Sequence, residues 1–402
     1  MTQTIVIAGT GFAGLWASIA AARAISEAGK GGEIEVIAIS PSPNLAIRPR
    51  LYEADLATIN PDVGELLAAV GVRHVAGWID MIDHEARSLT VASKDGGWQT
   101  IDYHRLVLAA GSQSFRPPLP GLADFSFEPD QVDTARALAA HLATLSQRPD
   151  GAARNTVVVA GAGFTGLETA TEMPARLREA LGADADIRVV IVDSAQTIGE
   201  AMGADALPYV SEALDHAGVE RRPGVRVAAI EADAVILSSG ERIATNTVVW
   251  TAGLRASPLA AQIPGEHDPI GRVIGDSFLH APEAPGVFVT GDTVKVATDD
   301  QGNFNVMSCQ HAMSLGRVAG YNAAAELLGL PLHPYSQPKY VTCLDLGSWG
   351  ALYTEGWDRK VLYSRGDAKK IKTEINTVWI YPPSPDREAA FALARPDHVI
   401  VP

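Results

Sequence analysis

The chain has 402 residues, enough for two to three domains at roughly 150 residues each. It is 47% hydrophobic and 20% charged, and 47 acidic against 32 basic residues give a net charge of −15. That balance excludes a general nucleic-acid binder and broad attraction to anionic membrane surfaces.

The chain opens with Ile5-Val6-Ile7 after an uncharged tetrapeptide, which reads as a first strand and not as a secretion signal. No apolar run reaches the ~18 residues of a membrane span, so a cytoplasmic protein is expected. Residues Ile5–Gly14 form a β-rich run followed by Gly9-Thr10-Gly11-Phe12-Ala13-Gly14 and an Ala-rich segment. Such a strand–turn–helix holds a pyrophosphate: Gly9 makes the turn, Gly11 admits the phosphate and Gly14 lets helix and strand pack closely. The helix N-terminus supplies free N–H groups and its positive dipole end. A second strand is expected at Ile34–Ile39, ending in Ser40 where an acid is usual. Serine bonds a ribose hydroxyl more weakly than a carboxylate and would admit a 2′-phosphate.

The pattern returns at Val157–Gly166, with Gly161, Gly163 and Gly166, then a helix expected from Leu167 and a strand at Ile187–Val192. Here the closing residue is Asp193, placed to bond both ribose hydroxyls and to repel a 2′-phosphate, so this unit should prefer NAD to NADP. Two dinucleotide units in tandem point to a flavin and a nicotinamide. The runs Leu106–Gly111, with Ala110 and Gly111, and Val248–Gly253, with Ala252 and Gly253, resemble the strands that close each unit in two-dinucleotide flavoproteins. Gly286–Asp292 resembles their second flavin motif, in which the residue at Asp292, after Gly291, binds the ribityl chain.

More narrowly, Asn44–Tyr52, Thr247–Pro258 and Cys309–Gly316 make the chain similar to the type II NADH:quinone oxidoreductases. The resemblance implies an α/β fold of two Rossmann-like dinucleotide-binding domains and a small C-terminal α+β element. The FAD domain would be 1–115 with 256–330, the inserted NAD domain 116–255, and the C-terminal element 331–402 would shield one flavin face. It also implies FAD and NADH as cofactors, Glu168 facing the nicotinamide, Arg48-Pro49 against the isoalloxazine, and Gln310 at a quinone site. Three positions depart from the family: Ser314 replaces a glutamine, Ser40 replaces an acid, and the Pro-rich tail Val378–Pro402 is poor material for a membrane-anchoring helix. The expected activity is NADH oxidation through FAD, with a quinone or quinone-like small molecule as acceptor. Contact with the inner face of a membrane would be peripheral at most, and a homodimer is the expected assembly if there is one. A soluble NAD(P)H-linked reductase of another small molecule and a slow FAD/NADH redox sensor remain as alternatives.

Several residues carry two readings. Glu168 could reach the nicotinamide amide or merely complement a helix dipole. Gln310 and His311 open an Ala-rich helix (Ala312–Leu328) whose positive end would face the flavin pyrimidine; His311 is either a proton donor or, the favoured reading, a structural histidine. Arg48 and Arg50 either bind an anionic acceptor or belong to a solvated loop. Cys309 and Cys343 read as inert buried thiols, since no cysteine lies near either glycine turn. Trp349, Trp357 and Trp379 read as core packing before a pocket lining. The basic group Arg359-Lys360 and Lys369-Lys370-x-Lys372 reads as a solvated face before a docking patch.

Overall fold

The computed structural model describes residues 2–401; Met1 and Pro402 lie outside the described residues. The first unit is a five-stranded parallel sheet in the order Val287–Val289, Arg105–Leu108, Gln3–Ala8, Ile34–Ser40, Val72–Ala76. Its central strands are buried on both faces, which is why they read as unbroken apolar runs such as Ile5-Val6-Ile7 and Leu106-Val107-Leu108. The second unit repeats the plan in the order Val219–Arg222, Arg188–Val192, Thr156–Ala160, Thr247–Trp250, Ser126–Phe127. Each unit also carries a three-stranded antiparallel sheet, residues 78–102 in the first and 227–244 in the second. The chain passes between units at Ser112–Ser114 and returns at Leu254–Ala256, and these two crossings pair antiparallel.

Helix Phe12–Glu27 lies against helix Cys309–Leu328 at backbone distance. A Cβ on Gly316 would stand 2.3 Å from the Ala13 carbonyl oxygen, and one on Gly320 2.0 Å from that of Ala17. Only glycine allows this approach, and it brings both helix N-termini to one cavity.

The C-terminal element is an antiparallel sheet of Val341–Asp345, Ala351–Glu355 and Lys360–Ser364, followed by helix Arg365–Glu374 and a π-turn at Ile375–Trp379. Its Leu344, Leu346, Trp349 and Leu352 join the core of the second unit. The tail departs from expectation, because Arg387–Leu393 is helical. All its prolines lie outside that span, and Asp386 caps it by accepting from the Ala389 N–H at 2.8 Å. The second glycine helix likewise begins earlier than expected, at Phe164, directly after the extended Gly163. No helix among the described residues is long and apolar enough to cross a membrane.

Candidate active site

The two glycine turns have the same geometry. Gly9 and Gly161 adopt φ +116° and +113°, and an added Cβ would meet the Ala109 carbonyl oxygen at 2.5 Å or the Thr251 carbonyl carbon at 2.8 Å. On Gly14 and Gly166 a Cβ would fall 1.9 Å from the Gly9 and Gly161 carbonyl oxygens. Gly11 and Gly163 differ: an added Cβ there has nothing within 4 Å. The space beside each helix N-terminus is therefore open where a phosphate would approach. Asp193 braces the second turn, accepting from the Ala162 N–H at 2.6 Å and the Ala195 N–H at 2.7 Å. Ser40 takes the matching place in the first, where it receives the Thr10 hydroxyl at 2.8 Å, donates to the Ser42 carbonyl at 2.6 Å and meets His74 Nε2 at 2.9 Å.

One cavity of about 920 Å³ gathers most of the expected residues on its wall: Gly9, Gly11, Phe12, Ala13, Ser40, Arg48, Pro49, Ala110, Gly111, Glu168, Asp292 and Gln310. Gly161, Gly163, Gly166, Asp193, Ala252 and Gly253 lie off this wall, around the second turn, while Gly14 and Gly291 serve close packing. His311 is fully buried and also off the wall. Its Nδ1 lies 2.9 Å from the Ser308 hydroxyl and its ring packs on Tyr340 and Trp357 at 5.4 and 6.0 Å, which fits a packing role and not proton donation into the cavity. Burial pushes its pKa down to about 4.

Arg48 and Arg50 are neither free nor solvated. Arg48 donates to Asp130 Oδ1 at 2.5 Å, Ser112 Oγ at 2.9 Å and Asp292 Oδ2 at 3.3 Å, and Arg50 is bidentate on Glu53. Asp292 also accepts the Ser112 hydroxyl at 2.6 Å. Burial raises the Asp292 carboxyl above the ordinary carboxylate range, with Arg48 and Ser112 opposing.

Glu168 sits in the second turn of its helix, so dipole complementation does not account for it. It is 6% exposed and meets Lys372, 5% exposed, at 2.8 Å, and it accepts the Asp345 N–H at 3.1 Å. Burial raises the Glu168 carboxyl while Lys372 opposes it; at Lys372 desolvation pulls down, but Glu168, Cys343 and Asp345 together hold the ammonium above its ordinary value. Lys372 also lines the cavity. The solvated-face reading of the basic group therefore fails at Lys372, while Lys369 pairs with Asp345 at 2.6 Å and keeps a solvated side chain. The one hint in the sequence was the three-residue spacing of Lys369 and Lys372, which puts both on one helix face.

Cys309 and Cys343 line the cavity too, and burial raises their thiols to about 11 and about 12, which keeps them protonated and poorly nucleophilic. Trp349 and Trp357 pack as expected, whereas Trp379 joins Ile375, Ile380, Ile400 and Val401 in an apolar stretch of the cavity wall.

The donor set fits a dinucleotide carrying a flavin in the first unit: open phosphate space at Gly11 and a carboxylate at Asp292 for the polyol chain. The second unit fits a nicotinamide dinucleotide at Gly163 and Asp193. Comparison with known proteins agrees. The family model for pyridine nucleotide-disulphide oxidoreductases matches residues 3–316. The chain is 46% identical over 386 residues to the NADH dehydrogenase-like protein Rv1812c of Mycobacterium tuberculosis, covering 95% of each chain. It is 27% identical over 356 residues to the demethylphylloquinone reductase NdbB of Synechocystis, covering 87% of this chain and 85% of the other. The solved structure of NDH2 from Plasmodium falciparum in complex with NADH superposes with a TM-score of 0.76 at 11% identity, over 98% of this chain and 97% of that one, a likeness of fold. The chain belongs to the pyridine nucleotide-disulphide oxidoreductase family, and it is an FAD-dependent oxidoreductase that binds NADH.

Proposed function

We propose that the protein oxidises NADH and delivers the electrons to a quinone-like acceptor. The observation that carries this reading is the single cavity that runs from the first glycine turn past Asp292 to Glu168 and includes the apolar stretch Ile375, Trp379, Ile380, Ile400 and Val401. An apolar, flat acceptor suits such a wall better than a charged one. The bound flavin supplies the two-electron chemistry, taking hydride from NADH and returning the electrons to the second substrate.

The protein's own residues would bind and orient. The division that suits this is an FAD domain of 1–115 with 256–330, an NAD domain of 116–255, and a C-terminal element from 331 onward. Gly11 and Gly163 leave room for the two pyrophosphates. Asp193 takes the ribose hydroxyls of NADH and disfavours a 2′-phosphate, while Ser40, its own bonds met by Thr10, Ser42 and His74, borders the first site. Arg48 and Ser112 hold Asp292 for the polyol. Glu168, fixed by Lys372 and the Asp345 N–H, meets the nicotinamide amide. Gln310, whose Oε1 accepts from the Val341 N–H at 3.5 Å, stands on the acceptor side. Contact with a membrane, if made, is peripheral.

Anaerobic stopped-flow absorbance tests the reading. NADH should bleach the flavin quickly and NADPH slowly, and a short-chain quinone should restore the oxidised spectrum within the turnover time. Rapid bleaching without any quinone response would remove the acceptor assignment; no bleaching by NADH would remove the whole reading.

A further inference from the structure

The turn that joins the last two strands of the C-terminal sheet, Gly356–Arg359, leans on the second unit. Val361 N–H donates to Asp205 Oδ2 at 2.7 Å, and Arg359 Nη1 donates to the Ala201 carbonyl. Arg359 itself adopts φ +54°, a left-handed conformation that a long side chain takes at a cost and that asparagine or glycine would take more easily. Its guanidinium lies 5.4 Å over the Phe164 ring and 6.0 Å over the Tyr340 ring, on the wall of the cavity.

Two features of that place point to an anion. Phe164 is the first residue of the second glycine helix, whose first turn holds no acidic residue and whose Gly163 cap leaves the N–H groups without a side-chain acceptor. Among the described residues no carboxylate comes within ion-pair distance of Arg359, whose guanidinium meets the Ala201 carbonyl and the Tyr340 hydroxyl, both neutral. A cation left without a carboxylate, in a protein of net charge −15, is poised for an anionic ligand. The two aromatic rings beside it hold the guanidinium at the cavity wall before a ligand arrives, a contact that arginine makes better than lysine.

We propose that Arg359 binds the pyrophosphate of NADH opposite the N–H groups of Gly163–Thr165, so that the C-terminal element completes the nicotinamide nucleotide site. This rests on the reading of the second unit as the NADH site. The residue acts on binding and is not part of the hydride-transfer machinery.

Calorimetric titration of the oxidised holoenzyme with ADP-ribose, which carries the pyrophosphate but no nicotinamide, tests it. Arg359→Gln should weaken ADP-ribose by about 10-fold or more, the loss of a charge-assisted phosphate contact, and Arg359→Lys should fall between it and the wild type. The KM for NADH should rise in parallel while kcat, the KM for quinone, flavin content and melting temperature hold. If wild type and Arg359→Gln bind ADP-ribose equally, the inference falls and the NADH reading stands. A shift in quinone KM instead of NADH KM also overturns it, as does a loss of affinity that merely follows lost flavin or a lower melting temperature. If the wild type neither binds ADP-ribose nor is bleached by NADH, the reading of the second unit fails and the inference with it. Should Arg359→Gln not fold, Arg359→Lys carries the same comparison.

Discussion

His311 shows how burial alone moves a titratable side chain. Its environment, Ser308 on one side and Tyr340 with Trp357 on the other, offers no carboxylate, and burial holds its pKa at about 4 against an ordinary 6.5. A base whose folded pKa is depressed contributes fully above its unfolded value, and stability is lost as pH falls from there toward the folded value. Between pH 6.5 and 4 the unfolded chain takes up a proton at this position that the folded chain refuses, worth about 3 kcal/mol in all and up to about 1.4 kcal/mol per pH unit. His311→Gln should flatten the decline of unfolding free energy in urea across that range by one proton's share, while the pH profile of turnover keeps its shape. An unflattened decline would mean that His311 titrates normally in the folded protein. The two glycine turns were legible in the sequence because the strand, the three glycines and the start of the helix that define each lie within about ten positions. Lys372 was not, since its partner Glu168 is 204 residues away and nothing local separates a buried lysine from the solvated ones beside it.

Among the elements, the pairing of helix Phe12–Glu27 with helix Cys309–Leu328 sets the cavity, because both N-termini border it. The contact is made by backbone, so one methyl group disrupts it. Gly316→Ala would place a carbon 2.3 Å from the Ala13 carbonyl oxygen, forcing the helices apart at a cost of about 1–3 kcal/mol. The expected result is a lower melting temperature together with partial loss of flavin on purification. Gly31→Ala, where an added Cβ has nothing within 4 Å, serves as the control and should change neither. Full flavin retention by Gly316→Ala would show that the helix spacing does not govern the flavin site. The sequence indicated these helices well, since alanine-rich runs, one after a glycine turn and one after the Ser308 cap, leave few alternatives. It misjudged the tail, because proline density hid the cap at Asp386, and it placed the second glycine helix three residues late, because Phe164 and Thr165 are weak helix formers that the Gly163 cap nonetheless starts.

For the whole molecule, the question is what ties the C-terminal element to the two dinucleotide units. Apolar burial of Leu344, Leu346, Trp349 and Leu352 in the second unit's core supplies adhesion, and the Glu168–Lys372 pair fixes position. Both charges are nine-tenths or more buried, so neither tolerates the loss of the other. Lys372→Met would leave the Glu168 carboxyl buried without its cation, at a cost of about 3–5 kcal/mol, whereas replacing both by Glu168→Leu and Lys372→Met should cost much less than the two single losses added. The single variant also has a defined pH response. Burial already raises the Glu168 carboxyl, and without Lys372 it would rise further. A carboxyl with a raised folded pKa destabilises the fold at pH values above it, where the unfolded chain is ionised at no cost. Lys372→Met should therefore lose more stability at pH 8 than at pH 5, while the double variant, with no buried charge, should show no such difference. Urea unfolding at the two pH values measures both effects. Additive losses, or a Lys372→Met deficit independent of pH, would show that the pair is not desolvated as the geometry places it, and that packing alone holds the C-terminal element over the cavity.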